Sequence, residues 1–369
     1  MTEPRSRIQD ACRDGILREL DRIGSFREDG GLTLGYLCSG FPEALAAGLG
    51  FRPLRMLHGF TRVLEDAGGR MVRPDICPMI GGLLGGIESG DEPFSLVDVW
   101  MGLCTCDQTR RCFSLLQESV PVYTVQLPST RSDSARDYYA EQLEDFVGHA
   151  ARRAGLEYSG DRALKHFKWR RAAGRVLRQA ALSGTVAPMD LHWLFNLYHI
   201  ADPRRLEGEL RSLLRLAEEY EPRFTIGLTG STLVLEDIHI MQMLQERNTG
   251  VLQLGCTGLQ SIHCEESDAL PSSGMPGELA RGSFQELKCP RSRPNDALFQ
   301  YLENMTVSRG CRGLVVKTLK FCDLWFTERK RFRERISVPV LVTDTGYGQG
   351  EALRQRNRVE AFLDTLEIV

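Results

Sequence analysis

The feature that most constrains this chain is an alternation that starts, stops and starts again. Short apolar or β-branched runs are each followed by stretches with apolar residues three or four apart, the pattern of a parallel sheet with helical crossovers. Leu32 to Leu37 reads as a strand, Pro42 to Leu49 as a short helix with its proline at the favoured start, and Pro53 to Leu57 as a second strand. Pro78 to Ile87 is a weak, glycine-rich helix, and strands over Leu96 to Leu103 and Val120 to Leu127 flank a helix over Thr109 to Gln117. From Ser132 to about Tyr220 the spacing is helical throughout, predicting helices over Asp133 to Gly155, Asp161 to Ala181, Pro188 to Ala201 and Arg204 to Tyr220. Strands then return at Phe224 to Leu228, Val251 to Leu254, Gly313 to Phe321 and Val338 to Asp344. Helices over Val234 to Gln245, Asn295 to Val307, Leu324 to Ile336 and Glu351 to Leu366 complete the second series.

The expected fold is therefore α/β, with two Rossmann- or flavodoxin-like parallel-sheet domains joined by a helical region. The boundaries read as an N-terminal helix over 1–30, a first α/β domain over 31–131, a helical bridge over 132–221 and a second α/β domain over 222–369. A length of 369 residues agrees with two domains. With 26% charged and 42% hydrophobic residues there is ample material for a core, which excludes disordered and fibrous classes. A formal net charge of −3 gives no motive for wrapping nucleic acid or docking on an anionic membrane. The longest uncharged window, Val251 to Cys264, is too short and too interrupted for a bilayer span, which needs ~20 apolar residues. Residues 1–30 lack the apolar segment of a secretory signal, so the expectation is a cytoplasmic protein. The Pro-, Ser- and Gly-rich stretch from Glu265 to Pro294 reads as a long loop, either functional or mobile.

Eleven cysteines are more than such an enzyme needs, and in a reducing compartment they are not expected as disulfides. No C-x-x-C pair exists, so zinc-ribbon and thioredoxin motifs are unsupported. Ligands of parallel α/β sheets bind beyond the carboxyl ends of the strands. By that rule Cys38, Cys104, Cys106, Cys256 and Cys322 each follow a predicted strand, whereas Cys12 and Cys112 lie on helices, Cys311 precedes a strand, and Cys264 and Cys289 belong to the long loop. Cys38, Cys106 and Cys322 come from both halves and are able to converge on a cleft between them. Three thiolates hold three irons of a cubane and leave the fourth iron open to another ligand. Packing as small core side chains is the plain alternative.

The residues around these cysteines add a resemblance. Gly35-Tyr36-Leu37-Cys38-Ser39-Gly40-Phe41-Pro42-Glu43, with Ala46-Ala47-Gly48 and Pro53-Leu54-Arg55, resembles the opening motif of the 2-hydroxyacyl-CoA dehydratase family, which includes the cluster-bearing subunits of benzoyl-CoA reductase. Cys77-Pro78, Cys106-Asp107, Leu228-Thr229-Gly230-Ser231 and Leu319-Lys320-Phe321-Cys322-Asp323-Leu324-Trp325 match further elements in order, as do Asp344 to Gln349 and Arg358-Val359-Glu360-Ala361-Phe362. The resemblance spans roughly residues 32 to 365. It implies Cys38, Cys106 and Cys322 as ligands of a [4Fe-4S] cluster, with Cys77 a ligand in some branches.

The resemblance also implies a reaction. One electron from an ATP-dependent iron–sulfur activator forms a ketyl radical on an acyl-CoA, from which water is eliminated, in a heterodimer with a paralogous dehydratase subunit or in a homodimer. Rival expectations are a reductase, of the benzoyl-CoA type or with a double-cubane [8Fe-9S] cluster shared between two chains, and a non-catalytic cluster carrier. Glu43 is a candidate base or polar partner, although carboxylates at helix starts commonly serve the dipole. Ser39 is a candidate oxygen ligand or hydrogen-bond donor, although serine is common in turns. Asp107 and Asp323 follow proposed ligands where capping is the default role. The basic run Lys165 to Arg171, with Trp169 inside it, is a solvated face or a contact for substrate phosphates or an acidic partner. Gly230-Ser231 is a weak phosphate-cradle candidate, no nucleotide-binding motif is complete, and His239 and His263 form no metal spacing.

Overall fold

The computed structural model describes residues 6–73, 75–262, 271–347 and 349–368. Cys264, His263, Gly348 and the first part of the expected long loop lie outside the described residues. The chain opens with α1 (Arg7–Glu28), β1 (Thr33–Tyr36), α2 (Ala44–Leu49), β2 (Arg52–Arg55), α3 (Arg62–Met71), α4 (Pro78–Ser89), β3 (Val99–Cys104), α5 (Asp107–Leu116) and β4 (Val122–Gln126). Four helices follow: α6 (Asp133–Ala154), α7 (Gly160–Ser183), α8 (Pro188–Ile200) and α9 (Pro203–Leu214). The second series is β5 (Phe224–Gly230), α10 (Ile238–Glu246), β6 (Thr249–Gln253), α11 (Pro276–Glu286), α12 (Asp296–Ser308), β7 (Leu314–Leu319), α13 (Asp323–Phe326), α14 (Arg329–Arg335), β8 (Val340–Thr345) and α15 (Gln349–Ile368).

Both sheets are parallel, four-stranded and alike, in the orders β2-β1-β3-β4 and β6-β5-β7-β8. The expected α/β class with two parallel sheets is therefore what the chain forms. In each sheet the order reverses at the first strand, so β1/β3 and β5/β7 are the switch points where a crevice opens beyond the strand ends. Burial on both faces explains the continuous apolar strands: Leu314, Val315, Val316 and Leu319 of β7 are all buried. The helix α8 is buried along nearly its whole length and shares a core with α1, α4 and the second sheet. By contrast α6 and α11 pack over the other side of the first sheet, through Tyr139, Leu143, Phe146 and Phe284.

Local physics explains where expectation and structure part. The expected loop contains α11, started by Pro276 and held to α6 by Leu279, Ala280 and Phe284, whose ring meets Tyr139 with centroids 5.6 Å apart. The helix expected from Val234 starts only at Ile238. The Asp237 carboxylate accepts from the Val234 amide at 2.9 Å, Leu235 N–H donates to Leu57 O at 2.7 Å, and Glu236 accepts from Gly59 N at 2.6 Å. Those bonds spend the turn on a contact between the halves. The helix expected over Leu324 to Ile336 is broken in two around Thr327, whose hydroxyl bonds back to Asp323 O at 3.0 Å. The helix expected to Tyr220 ends at Leu214, and α3 had no expectation at all.

The glycines that weakened the prediction of α4 have a packing purpose. A Cβ on Gly85 would stand 2.1 Å from Leu64 O, and one on Gly68 2.0 Å from Gly81 O, so α3 and α4 meet backbone to backbone. That contact sets the start of α4, where Cys77 is the N-cap. Gly85→Ala is expected to destabilise the fold by about 1–3 kcal/mol through overpacking. Gly24→Ala, in a helix with nothing within 4 Å of the new methyl, is expected to be neutral or stabilising. Urea denaturation of both variants checks this, and a Gly85→Ala protein as stable as the parent would contradict the packing account.

Candidate functional site

The strand ends of the two sheets border one cavity of about 170 Å3, with Leu37, Leu103, Leu127, Gly230 and Leu319 in its wall. Six cysteines line it: Cys38, Cys77, Cys106, Cys256, Cys289 and Cys322. None of them is in a disulfide. Of the five cysteines expected beyond strand ends, Cys38, Cys106, Cys256 and Cys322 are thus brought to one hollow, where Cys77 joins them, whereas Cys104 is the buried last residue of β3. The on-helix cysteines Cys12 and Cys112 are buried elsewhere, as small core side chains.

The six fall into two sets by their mutual electrostatic influence. Cys322 and Cys106 raise Cys77 and Cys106 raises Cys322, while Cys38 and Cys256 raise Cys289 and Cys256 raises Cys38. The trio expected from sequence therefore draws from both sets. Burial pushes the Cys38 thiol up to about 11 and the Cys77 and Cys289 thiols up to about 12, with neighbouring thiolates adding to the rise. Burial also raises Cys322. Backbone amides work in the opposite direction. Gly40 N–H points at Cys38 Sγ at 3.3 Å and Thr109 N–H at Cys106 Sγ at 3.4 Å, while amides of Met79 and Ile80 face Cys77 and those of Leu324 and Trp325 face Cys322. Sulfur at the start of a helix gains from such donors when it ionises.

Polar side chains tie the cysteine-bearing segments together. Gln108 accepts from Cys77 N at 2.5 Å and donates to Phe321 O at 3.0 Å, linking the segments of Cys77 and Cys322 from a position two residues beyond Cys106. Phe321 has φ 59°, a left-handed backbone that is uncommon outside glycine and recurrent at functional sites. In the other set Arg55 donates to Leu37 O at 3.0 Å and to Cys256 O at 3.1 Å. Arg291, two residues after Cys289, donates to Leu127 O at 2.8 Å and to Thr105 O at 2.5 Å. No sequence signal marks Gln108 or Arg291, because their partners are backbone carbonyls and amides of distant segments.

The donor set fits an iron–sulfur core. Among the described residues no three His, Cys, Asp or Glu side chains stand close enough to share a single metal ion. Thiols spaced around a hollow suit a multinuclear centre, and soft thiolates select iron–sulfur clusters.

A second chamber of about 470 Å3 adjoins the first, with Ser39 and Glu286 in the walls of both. Ser39 thus stands at the boundary between them. Glu43 lines the larger chamber only. Its carboxylate accepts from Tyr36 OH and from Arg170 Nε at 2.7 Å, and it is paired with His166 Nε2 at 2.7 Å. Burial opposes its ionisation, but Arg170, with His166 and Tyr36, outweighs this and holds the carboxyl well below the usual carboxylate range. His199, also at this chamber, is kept neutral by burial and by Arg55. Asp107 opens α5 and is exposed, and Asp323 opens α13. Ser231 Oγ accepts from Leu319 N at 3.0 Å and hydrogen-bonds Cys322.

Two parallel sheets presenting a thiol-lined hollow at facing switch points define an α/β protein with a cysteine-rich centre between its halves. Comparison with known proteins gives that class a family. The family described as "2-hydroxyglutaryl-CoA dehydratase, D-component" matches residues 38–366, and the chain belongs to it. It is also similar to "Putative dehydratase subunit YjiM" of Escherichia coli (strain K12), at 22% identity over 97% of each chain. A D-component implies a partner component, and no described helix is long and apolar enough to cross a membrane.

The paired network gives a test of Glu43. A carboxyl held below its unfolded value adds stability that is fully present above the unfolded value and lost as pH falls through the folded one. Glu43→Gln leaves Arg170 buried without its counter-ion, so a loss of about 3 kcal/mol is expected at pH 7, shrinking in acid. Chemical denaturation at pH 7 and pH 4 measures it, and equal stability of parent and variant at pH 7 would show that Glu43 is not the counter-ion.

Proposed function

We propose that this chain is an iron–sulfur subunit that passes single electrons to a substrate in the larger chamber, and that the six cavity-lining cysteines hold two cubane units in one hollow. The observation that carries the reading is that six thiols, delivered by segments of both sheets, line one cavity. Cys77, Cys106 and Cys322 would hold one unit, and Cys38, Cys256 and Cys289 the other. Both sets lie in one chain, so the double-cubane reading expected from sequence needs no second chain to complete its ligands. Bound there, such a centre supplies low-potential one-electron transfer and an open iron able to act as a Lewis acid.

The protein's own contributions follow from the geometry. Leucines and Phe113 wall the cavity against water, which strengthens every electrostatic interaction inside. Amide N–H groups orient the sulfurs, while Gln108, Arg55 and Arg291 hold their segments in register. Ser39 at the shared wall offers a hydroxyl to a substrate oxygen. Glu43, already engaged by three partners, keeps Arg170 and His166 in place instead of taking a proton.

The second reading is the radical 2-hydroxyacyl-CoA dehydratase, a lyase with one [4Fe-4S] cluster on Cys38, Cys106 and Cys322. Membership of the dehydratase family favours it. An acyl-CoA substrate, a paralogous subunit and an ATP-dependent activator belong to that reading.

Iron and acid-labile sulfide counting on anaerobically purified protein separates the two. The double-cubane reading expects about eight irons per chain and the single-cubane reading about four. Cys77→Ser, Cys256→Ser and Cys289→Ser are each expected to lower the iron count and change the electron paramagnetic resonance of the reduced protein. Full iron retention in all three variants, with loss only on replacing Cys38, Cys106 or Cys322, would favour the single cluster.

A further inference from the structure

The basic run on α7 serves two hollows. Arg162, Lys165, His166 and Trp169 recur at helical spacing and lie on one face, toward an outer groove of about 420 Å3. Phe167, Arg170 and Arg171 line the inner chamber instead. The groove is closed by α1, the end of α2, β2 and the start of α9; it shares no residue with the cysteine cavity and only His166 with the chamber beside it.

Its charge runs against that of the chain. Six cationic side chains, Arg22, Arg52, Arg162, Lys165, Arg204 and Arg205, line it against only two carboxylates, Glu19 and Asp202, in a protein of net charge −3. Glu19 is shared by Arg22 at 3.1 Å and Arg52 at 2.5 Å, and Asp202 pairs with Arg204. Arg162 bonds only backbone carbonyls, of Gly48 at 2.8 Å and of Glu157 at 2.5 Å. Among the described residues neither Lys165 nor Arg205 has a side-chain ion-pair partner. Two aromatic side chains that are normally covered, Trp169 at 39% and Phe26 at 37% exposure, line the same groove.

Unpaired cations beside exposed rings select a ligand that is both anionic and planar. We propose that this groove binds a nucleoside diphosphate, with its phosphates on Lys165, Arg205 and Arg162 and its base against Trp169. The site stands apart from the cluster reading: its lining includes none of the six cysteines.

Titration of the full-length, anaerobically purified chain tests it, with ADP, pyrophosphate and adenosine as separate probes. Trp100 and Trp193 are buried and Trp325 lines the cysteine cavity, so Trp169 is the reporter at the groove, and Trp169→Phe identifies its share of the fluorescence. ADP is expected to quench that fluorescence, more weakly as salt rises. Adenosine is expected to bind far more weakly, and pyrophosphate, followed by calorimetry, more weakly than ADP. Lys165→Gln with Arg205→Gln, both exposed, is expected to weaken ADP about tenfold while leaving the iron count unchanged. Absence of ADP binding, or equal ADP affinity in the double variant, overturns the site. Pyrophosphate binding as tightly as ADP overturns the assignment of the base to Trp169.

Discussion

Parallel strands deliver all their carboxyl ends to one edge of a sheet, and the rest of this structure depends on two such edges facing one hollow. The ends of β1, β3, β4, β5 and β7 all border the cysteine cavity. Residues immediately after a strand point into the crevice because the chain must turn there before its helix begins. Cys38, Cys106, Cys256 and Cys322 stand in or near such turns, and Cys77 reaches the same place as the N-cap of α4. Bringing six sulfurs together therefore requires no special local fold. It requires that the two sheets keep their mutual placement, which the bonds from Leu235 to Leu57 and from Gly59 to Glu236 help to fix.

Much of this is legible in the sequence. Periodicity locates every strand, because buried parallel strands are short, apolar and punctuated by helices of a different period. The strand-end rule selects Cys38, Cys106, Cys256 and Cys322, and also Cys104, which stays buried at the end of β3. Cys289 is out of reach of that rule. It arrives from a segment that reads as a loop, carried by α11 and anchored by Arg291 to carbonyls more than 160 residues away. The division of the six into two sets is equally hidden, since it depends on which turns adjoin across the cavity. Glu43 shows another limit: its position beside the cysteine motif suggests chemistry, but its three partners, from β1 and α7, are not visible in the sequence.

The two sets of thiols differ in how their segments are joined, and that difference has an electrostatic consequence. Gln108, a neutral side chain, joins the segments of Cys77, Cys106 and Cys322. Arg55 joins the segments of Cys38 and Cys256, and Arg291 ties that of Cys289 to Leu127 and to Thr105, beside Cys106. A positive charge beside thiolates favours the more negative state of whatever they bind, so under the double-cubane reading the unit on Cys38, Cys256 and Cys289 is the easier to reduce. It is also the one nearer the larger chamber, because Ser39 follows Cys38 directly.

Arg55 carries the argument one step further. Its side chain is 2% exposed, and among the described residues it has no carboxylate partner, only carbonyl oxygens and the His199 ring, which burial keeps neutral. A buried guanidinium left uncompensated is strongly unfavourable, and carbonyl dipoles offset only part of that cost. The missing negative charge is available at one place, the thiol set whose backbone Arg55 already holds. Burial raises the Cys38 and Cys289 thiols, while the Arg55 charge works in the opposite direction on Cys38. Under the iron–sulfur reading, thiolates of that set would supply the counter-charge that Arg55 lacks among the described residues.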